Sequence, residues 1–294
     1  MILRGDKFVV TGAAGFIGSH IAEHIVRQGR DVVCVDDFST GSMDNLKGWW
    51  DKKHCTLIPE DVRNIEQFKD ELWGASVIFH EAASKCTICT KDPQRDLDVN
   101  ALGSLRVFQV AAEIGARVVH ASTGSINGGN PKSFYGVSKQ AGESYLGAVK
   151  EYSPDFRFES IRYHHVFGPR QNSSDEGGVV AIFIKKMLKD EPITIFGDGE
   201  QLRHFTYVGD VVDANFQSAN RCDCRTYSLA EHKAVTINTL ASCLAKLIGK
   251  DVVINYAPER RGDIRRFDVS DAVSPDGDFI LNLSSTVHWY ASQT

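Results

Sequence analysis

The run of apolar segments along this chain predicts an α/β fold: a doubly wound parallel sheet carrying a smaller, interwoven α/β lobe. Three observations carry that reading. Short β-branched strands alternate with helical stretches as far as about residue 163. A three-glycine turn separates the first strand from the first helix. After "FGPRQNSSDEGG" (167–178) the alternation loosens, as expected where a second lobe is threaded through the first.

The elements follow in order. "KFVVT" (7–11) reads as a strand and 16–28 as a helix. "DVVCV" (31–35), "TLIP" (56–59), "SVIFH" (76–80), "ARVVHAS" (116–122) and "FESIRY" (158–163) are further strands, rich in the β-branched residues that suit a pleated surface. Helices fit 64–72, 94–114 and 134–152. Strict strand–helix alternation with apolar strand centres implies parallel pairing with both faces covered, a Rossmann-like arrangement. Beyond 178, helices fit 179–189, 210–219 and 236–248, with strands at 225–229 and "VVINY", and the tail reads as irregular and lacking a final helix.

The composition is that of an ordinary globular protein, 42% hydrophobic and 24% charged, with net charge −5. That balance gives no reason to expect nucleic acid or an anionic membrane as partner. No apolar run approaches the roughly 20 residues of a membrane span, and the first strand begins too early for a signal peptide, so the expected location is the cytoplasm. Seven scattered cysteines argue for reduced thiols rather than a disulfide framework. Two close pairs, Cys86/Cys89 and Cys222/Cys224, could together supply four thiolates to zinc, but idle thiols are the simpler reading and no metal is expected.

"VVTGAAGFIGSH" places Gly12, Gly15 and Gly18 between a strand and a helix. That spacing gives a tight turn, backbone amides that can approach a pyrophosphate, and a helix packed close to the sheet with its N-terminus facing the anion. Asp36 follows Gly18 by eighteen residues, at the end of the second strand, where an acid accepts hydrogen bonds from an adenosine ribose and repels a 2′-phosphate. Asp37 doubles the charge and no arginine adjoins the two in sequence, so NAD is expected rather than NADP.

In "SFYGVSKQAGE" Tyr135 precedes Lys139 by four residues, one helical turn, so phenol and ammonium share a face. A free tyrosine titrates at about pH 10, and a neighbouring cation lowers it into the range useful for proton abstraction. The pair is a weak signal alone. It gains weight from the glycine loop upstream and from Thr123, whose hydroxyl stands at a strand end between them. Ligands of open α/β sheets bind at such ends.

With these residues in view, the chain resembles the extended short-chain dehydrogenase/reductases that act on nucleotide sugars, above all the UDP-hexose 4-epimerases. "TGAAGFIGSH", "VDDFSTG", "FHEAASK", "VNALGSLRVF", "STGSING", "YGVSK", "IRYHHVFGPRQ" and "ERRGDIRR" stand in the family's order. The resemblance implies NAD contacts from Phe16, Ile17, Asp61, Val62, Ala82, Ala83, Lys85 and Asn100, with Tyr163 by the nicotinamide. It implies a UDP-sugar bound by Thr123, Tyr135, His165, Arg203, Arg260 and Asp263, and a homodimer formed through the helices at 94–114 and 134–152. Residues 1–167 with 203–232 would form the NAD domain, and 168–202 with 233–294 the substrate lobe.

Dehydratases of this kind carry Asp-Glu directly after the threonine, and sugar-acid decarboxylases a nearby Glu; here Gly124 and Ser125 follow Thr123 and supply no carboxylic acid. Epimerisation needs only Tyr135, Thr123, Lys139 and retained NAD. An NADH-using reductase is the main rival, and a non-catalytic NAD sensor would be expected to lack one of the three. His165 where the family has Asn, Asn127 in "SING", and only six residues between Gly128 and Tyr135 depart from the pattern, implying a roomier sugar site for an N-acetylated, acidic or unusual hexose.

Overall fold

The computed structural model describes residues 2–293 except 51–52, 127–128, 175–176, 232, 261–263, 268, 271 and the side chains of 86–87. β1 (Lys7–Thr11) leads through α1 (Phe16–Arg27) to β2 (Asp31–Val35) and β3 (Cys55–Ile58). A 3₁₀ segment, Val62–Leu72, is capped by Asp61, whose side chain accepts from the Arg63 amide, and precedes β4 (Val77–His80). Two single turns, α2 (Cys86–Cys89) and α3 (Pro93–Asp96), run into a π-helical turn, Leu97–Gly103, and α4 (Ser104–Glu113). β5 (Arg117–Thr123), α5 (Phe134–Tyr152) and β6 (Phe158–Tyr163) follow.

Thereafter come β7 (Val166–Phe167), α6 (Val179–Leu188), β8 (Ile193–Phe196), β9 (Leu202–Arg203), β10 (Thr206–Tyr207) and α7 (Val208–Arg221). β11 (Arg225–Leu229), β12 (Val235–Thr236), α8 (Ile237–Ile248), β13 (Ile254–Ala257) and α9 (Phe279–Ala291) complete the chain.

Seven strands form the main sheet in the order β11-β6-β5-β4-β1-β2-β3. β1 pairs in parallel with both β2 and β4, so the winding reverses there. Such a switch point opens a crevice at the carboxyl ends of the two strands. The buried strand centres explain the parallel pairing: Val9, Val33, Ile78 and Val118 sit in one core with Ile65, Phe108, Ala111 and Leu146 from the helical side. α1 turns Ile21, Ala22, Ile25 and Val26 inward at the i, i+1, i+4, i+5 positions of one face.

The chain divides into two compact units, Met1–Arg162 with Val212–Tyr227, and Tyr163–Val211 with Ser228–Thr294. The stretch 203–211 belongs to the second unit, because β9 pairs with β12 and β10 with β7 in short ladders of their own rather than with the main sheet. The second unit has its own core, built by Phe183, Ile184, Ile195, Leu240, Leu244 and Leu283.

Three elements differ from the sequence reading. The single helix expected at 94–114 is broken by the π turn around the buried Asn100. The segment at 64–72 is 3₁₀, with Phe68 outside helical geometry at φ −126°. The tail is not irregular: Asp278 caps α9 by accepting from the amides of Ile280 (2.9 Å) and Leu281 (3.0 Å). Its Leu283, Thr286, Val287 and Tyr290 are buried at helical spacing. Serine, threonine and valine lower the intrinsic helical preference of that segment, and packing restores it.

Leu146 lies fully buried where α5 meets the sheet core. Leu146→Ala is expected to cost about 2–5 kcal/mol of unfolding free energy, read from the denaturation midpoint in urea.

Candidate active site

The turn after β1 has to contain glycine for steric reasons. Gly12 holds φ +66°, and a Cβ there would lie 2.7 Å from the Ala82 amide nitrogen. A Cβ on Gly18 would lie 2.2 Å from the Gly12 carbonyl oxygen. The first turn of α1 is therefore pressed against the strand end, leaving its amides directed at the crevice. Asp36 ends β2 beside this turn. Its carboxylate accepts from the amides of Ala14 and Phe38, each at 2.8 Å, which fixes both oxygens in the crevice wall. Burial raises the Asp36 pKa, and those amide bonds oppose the rise.

One cavity is lined by Gly12, Gly15, Phe16, Ile17, Gly18, Asp36, Asp37, Asp61, Val62, Ala82, Ala83 and Lys85. Those are twelve of the residues named from the sequence, brought together from the segments that follow four strands. Asn100 lies behind the wall: its amide oxygen accepts from the Ser84 amide at 2.8 Å and its amide nitrogen donates to the Ser84 carbonyl at 3.1 Å. The wall also contains Ser39, Thr40, Glu60, Glu81, Ser84 and Arg95, which sequence reading missed. Arg95 comes from α3 to 3.8 Å from the Asp37 carboxylate, so an arginine does stand beside the acidic pair, delivered by the fold from far along the chain. Arg63 forks onto Asp61 at 2.7 and 3.0 Å; burial raises the Asp61 pKa, and these bonds more than reverse it.

At the end of β5, Thr123 is buried, and its Oγ1 accepts from the Ser125 amide at 3.1 Å, leaving the hydroxyl proton to donate elsewhere. Ser133 caps α5 by accepting from the Gly136 amide. The helix then starts tight against the β5 loop, since a Cβ on Gly136 would lie 3.1 Å from the Ser125 carbonyl oxygen. Tyr135 is half-buried in this first turn, and Lys139 one turn later is 1% exposed. The Lys139 Nζ is buried with no hydrogen-bond partner among the described residues. Burial lowers its pKa to about 8, with Glu81, Asp96 and Glu143 pulling the other way.

The second unit holds a separate cavity lined by His165, Lys186, Phe196, Gln201, Arg203 and Arg260, among others. Arg203 is fixed by donating from Nη1 to the carbonyls of Leu202 (2.8 Å) and Ile264 (2.7 Å), and lies 5.4 Å over the Phe267 ring. The Arg260 guanidinium rests 4.0 Å over Phe196. His165 adopts φ +39°, a left-handed backbone that asparagine tolerates better than most residues. Burial, with Arg203 next, pushes its pKa well below 6.5, so the ring is neutral. Tyr163 ends β6 half-buried and lines neither of these two cavities. Asp263 and Asn127 lie outside the described residues.

Residues 8–229 match the model of the NAD dependent epimerase/dehydratase family. The chain belongs to this family. It is 33% identical to a UDP-glucose 4-epimerase of Mycolicibacterium smegmatis over 282 residues, 88% of each chain. A UDP-N-acetylglucosamine 4-epimerase from Methanobrevibacter ruminantium, solved with UDP-N-acetylmuramic acid, superposes with TM-score 0.92 at 30% identity, covering 99% of this chain and 100% of that one. A UDP-glucose 4-epimerase of Thermus thermophilus, solved with NAD, superposes with TM-score 0.88 at 29% identity over 98% and 100% of the two chains.

As a member of the NAD dependent epimerase/dehydratase family, the protein uses NAD, and its residues fit that group. The crevice offers a glycine cradle that a Cβ would fill and a fixed buried carboxylate. Gly18→Ala is expected to force the cradle apart and weaken NAD binding at least tenfold, measured by calorimetric titration of cofactor-stripped protein.

Proposed function

We propose that the protein is an isomerase that inverts C4 of a UDP-hexose through a 4-keto sugar. The observation that carries this reading is Thr123 at the end of β5 beside the start of α5, which bears Tyr135 and the buried Lys139, with Gly124 and Ser125 rather than a carboxylic acid following the threonine. Gly12, Gly15, Phe16, Ile17 and Gly18 would hold the pyrophosphate, Asp36 and Asp37 the ribose, and Asp61 and Val62 the adenine. Ala82, Ala83, Lys85 and Asn100 would shape the rest of the cofactor site, and Tyr163 is assigned to the nicotinamide by family position alone. Bound NAD supplies a hydride acceptor that returns the same hydride, so net redox is zero.

Tyr135 takes the proton of the sugar 4-hydroxyl and gives one back after the sugar has turned over. The Lys139 ammonium lowers the energy of the phenolate in between. Thr123 donates its remaining hydroxyl proton toward the reacting oxygen. Arg203 and Arg260 suit the diphosphate, because guanidinium forks match phosphate oxygens. His165 contributes a neutral ring to the sugar pocket, and Asp263 is assigned to the nucleoside by family position alone. A reductase reading differs in consuming added NADH. With α9 in place, the inference of a roomier sugar site rests on the short 128–135 connection and His165.

The surface of α5 supports a homodimer. Phe134 (58% exposed), Val137 (54%), Tyr145 and Tyr152 (90%) fall on one helical face, and Leu97 and Leu102 are exposed on the neighbouring π turn. A second copy presenting the same stripe would cover it. Val137→Arg is expected to halve the mass seen by analytical ultracentrifugation.

The central test incubates the purified protein with a panel of UDP-hexoses and no added cofactor. Product inverted at C4 is expected, together with NAD released on denaturation. Tyr135→Phe should lower turnover by at least 100-fold while leaving bound NAD unchanged. Stoichiometric consumption of NADH, or a Tyr135→Phe variant at full rate, would overturn the assignment.

A further inference from the structure

The row of α5 that carries Tyr135 and Lys139 continues to Glu143, four residues further along, whose side chain is only 10% exposed. Three donors from two strands converge on it. Arg162 of β6 donates from Nε to Oε1 at 2.8 Å and from Nη2 to Oε2 at 2.6 Å. The hydroxyl of Ser122, a buried residue of β5, donates to Oε1 at 2.6 Å. One carboxylate on the Tyr135–Lys139 row is thereby bonded to the residue immediately before Thr123.

The other contacts of α5 with the sheet do a different job. The close approach of Gly142 to the His120 ring and the burial of Leu146 set how near the helix lies. Such contacts are weakly directional, and they leave its position along its own axis soft. A two-bond fork is directional. Sliding the helix by one residue moves it about 1.5 Å, enough to break both bonds of the fork. Stability is a poor reason for the pair, because taking two charges out of water costs about as much as their attraction returns.

We propose that Glu143 is a positioning residue of the catalytic centre: held by Arg162 and Ser122, it fixes the axial position of α5 and so the placement of Tyr135 relative to Thr123. This rests on the reading of Tyr135, Lys139 and Thr123 as the groups that handle the proton. It gives a role to the last residue of "SFYGVSKQAGE", which that reading leaves unused. A displacement of about 1 Å at a reacting group can cost a hundredfold in rate, so the clamp acts on chemistry rather than on binding.

Two variants test it together. Glu143→Gln turns an amide toward Arg162, which breaks the fork and strands the guanidinium. Its kcat should fall about 10- to 100-fold, with KM for the UDP-hexose and the NAD released on denaturation within about twofold of the parent. Its melting temperature should fall as well, because a buried charge has lost its partner. Glu143→Gln combined with Arg162→Met removes the stranded charge. The melting temperature should then recover while kcat stays low, since the fork is still missing. In both, the first hydride transfer, followed as NADH absorbance after mixing with UDP-hexose, should slow by at least the factor seen in kcat.

A parental kcat in Glu143→Gln would overturn the proposal, as would a raised KM with kcat unchanged. Recovery of kcat together with melting temperature in the double variant would also overturn it, because that is the signature of a purely structural ion pair. Should Glu143→Gln fail to fold, the double variant decides alone: low kcat at parental KM supports the clamp, and parental kcat refutes it. Tyr135→Phe at full rate would instead sink the assigned chemistry itself, whatever Glu143 does.

Discussion

One buried charge constrains the first unit more than any other group. Lys139 brings its ammonium under the sheet edge with 1% of its surface exposed. The chain can tolerate this only if α5 lies close to β5 and its surroundings are polar without being positively charged. Small residues provide the closeness: a Cβ on Gly142 would lie 3.1 Å from the His120 ring and 3.6 Å from the Asn100 carbonyl. Neutral histidines provide part of the polarity. His80 and His120 stack at 5.4 Å, and both are kept uncharged by burial and by the lysine itself.

The cage is tied to the cofactor crevice by a directed chain of hydrogen bonds. Ser104 Oγ donates to the Asn100 carbonyl at 2.7 Å, so it accepts from His80 Nε2 at 2.9 Å. His80 Nδ1 must then accept from Thr11 Oγ1 at 2.8 Å, and Thr11 Oγ1 in turn accepts from the Ala82 amide at 3.3 Å. The sequence of donors fixes the histidine tautomer without reference to hydrogen positions. It also joins the residue before the glycine turn, the end of β4 and the π turn into one buried network. π turns often mark functional sites, and here the side chain of Asn100 explains why: held on the Ser84 backbone and on Asp96, it leaves its own carbonyl to Ser104. Cofactor wall and lysine cage are two faces of the same set of bonds.

What could be read in advance was what depends on neighbours in sequence. The glycine turn, Asp36, and Tyr135 with Lys139 one turn later are local patterns, and the fold keeps them local. Arg95 beside Asp37 was invisible because 58 residues separate them and only the path of α3 brings them together. The break at Asn100 could not be seen either, since 94–114 has ordinary helical periodicity and the interruption comes from a side chain bonding to a distant backbone. α9 was hidden for the opposite reason: its local preferences are weak, and burial of Leu283, Val287 and Tyr290 decides its form.

The second unit obeys a different logic, suited to binding rather than to proton transfer. Its cations sit on aromatic faces and backbone carbonyls, Arg260 over Phe196 and Arg203 against Leu202, Ile264 and Phe267, so their positions are set before any ligand arrives. Pre-fixed guanidinium groups lose little freedom on meeting phosphate oxygens, so most of their attraction is retained as affinity. An epimerase needs that imbalance. The nucleoside diphosphate must stay bound while the keto sugar changes face, and binding energy placed on the part that does not react leaves the part that does free to turn. The neutral His165 ring in the same cavity adds no charge beside Arg203.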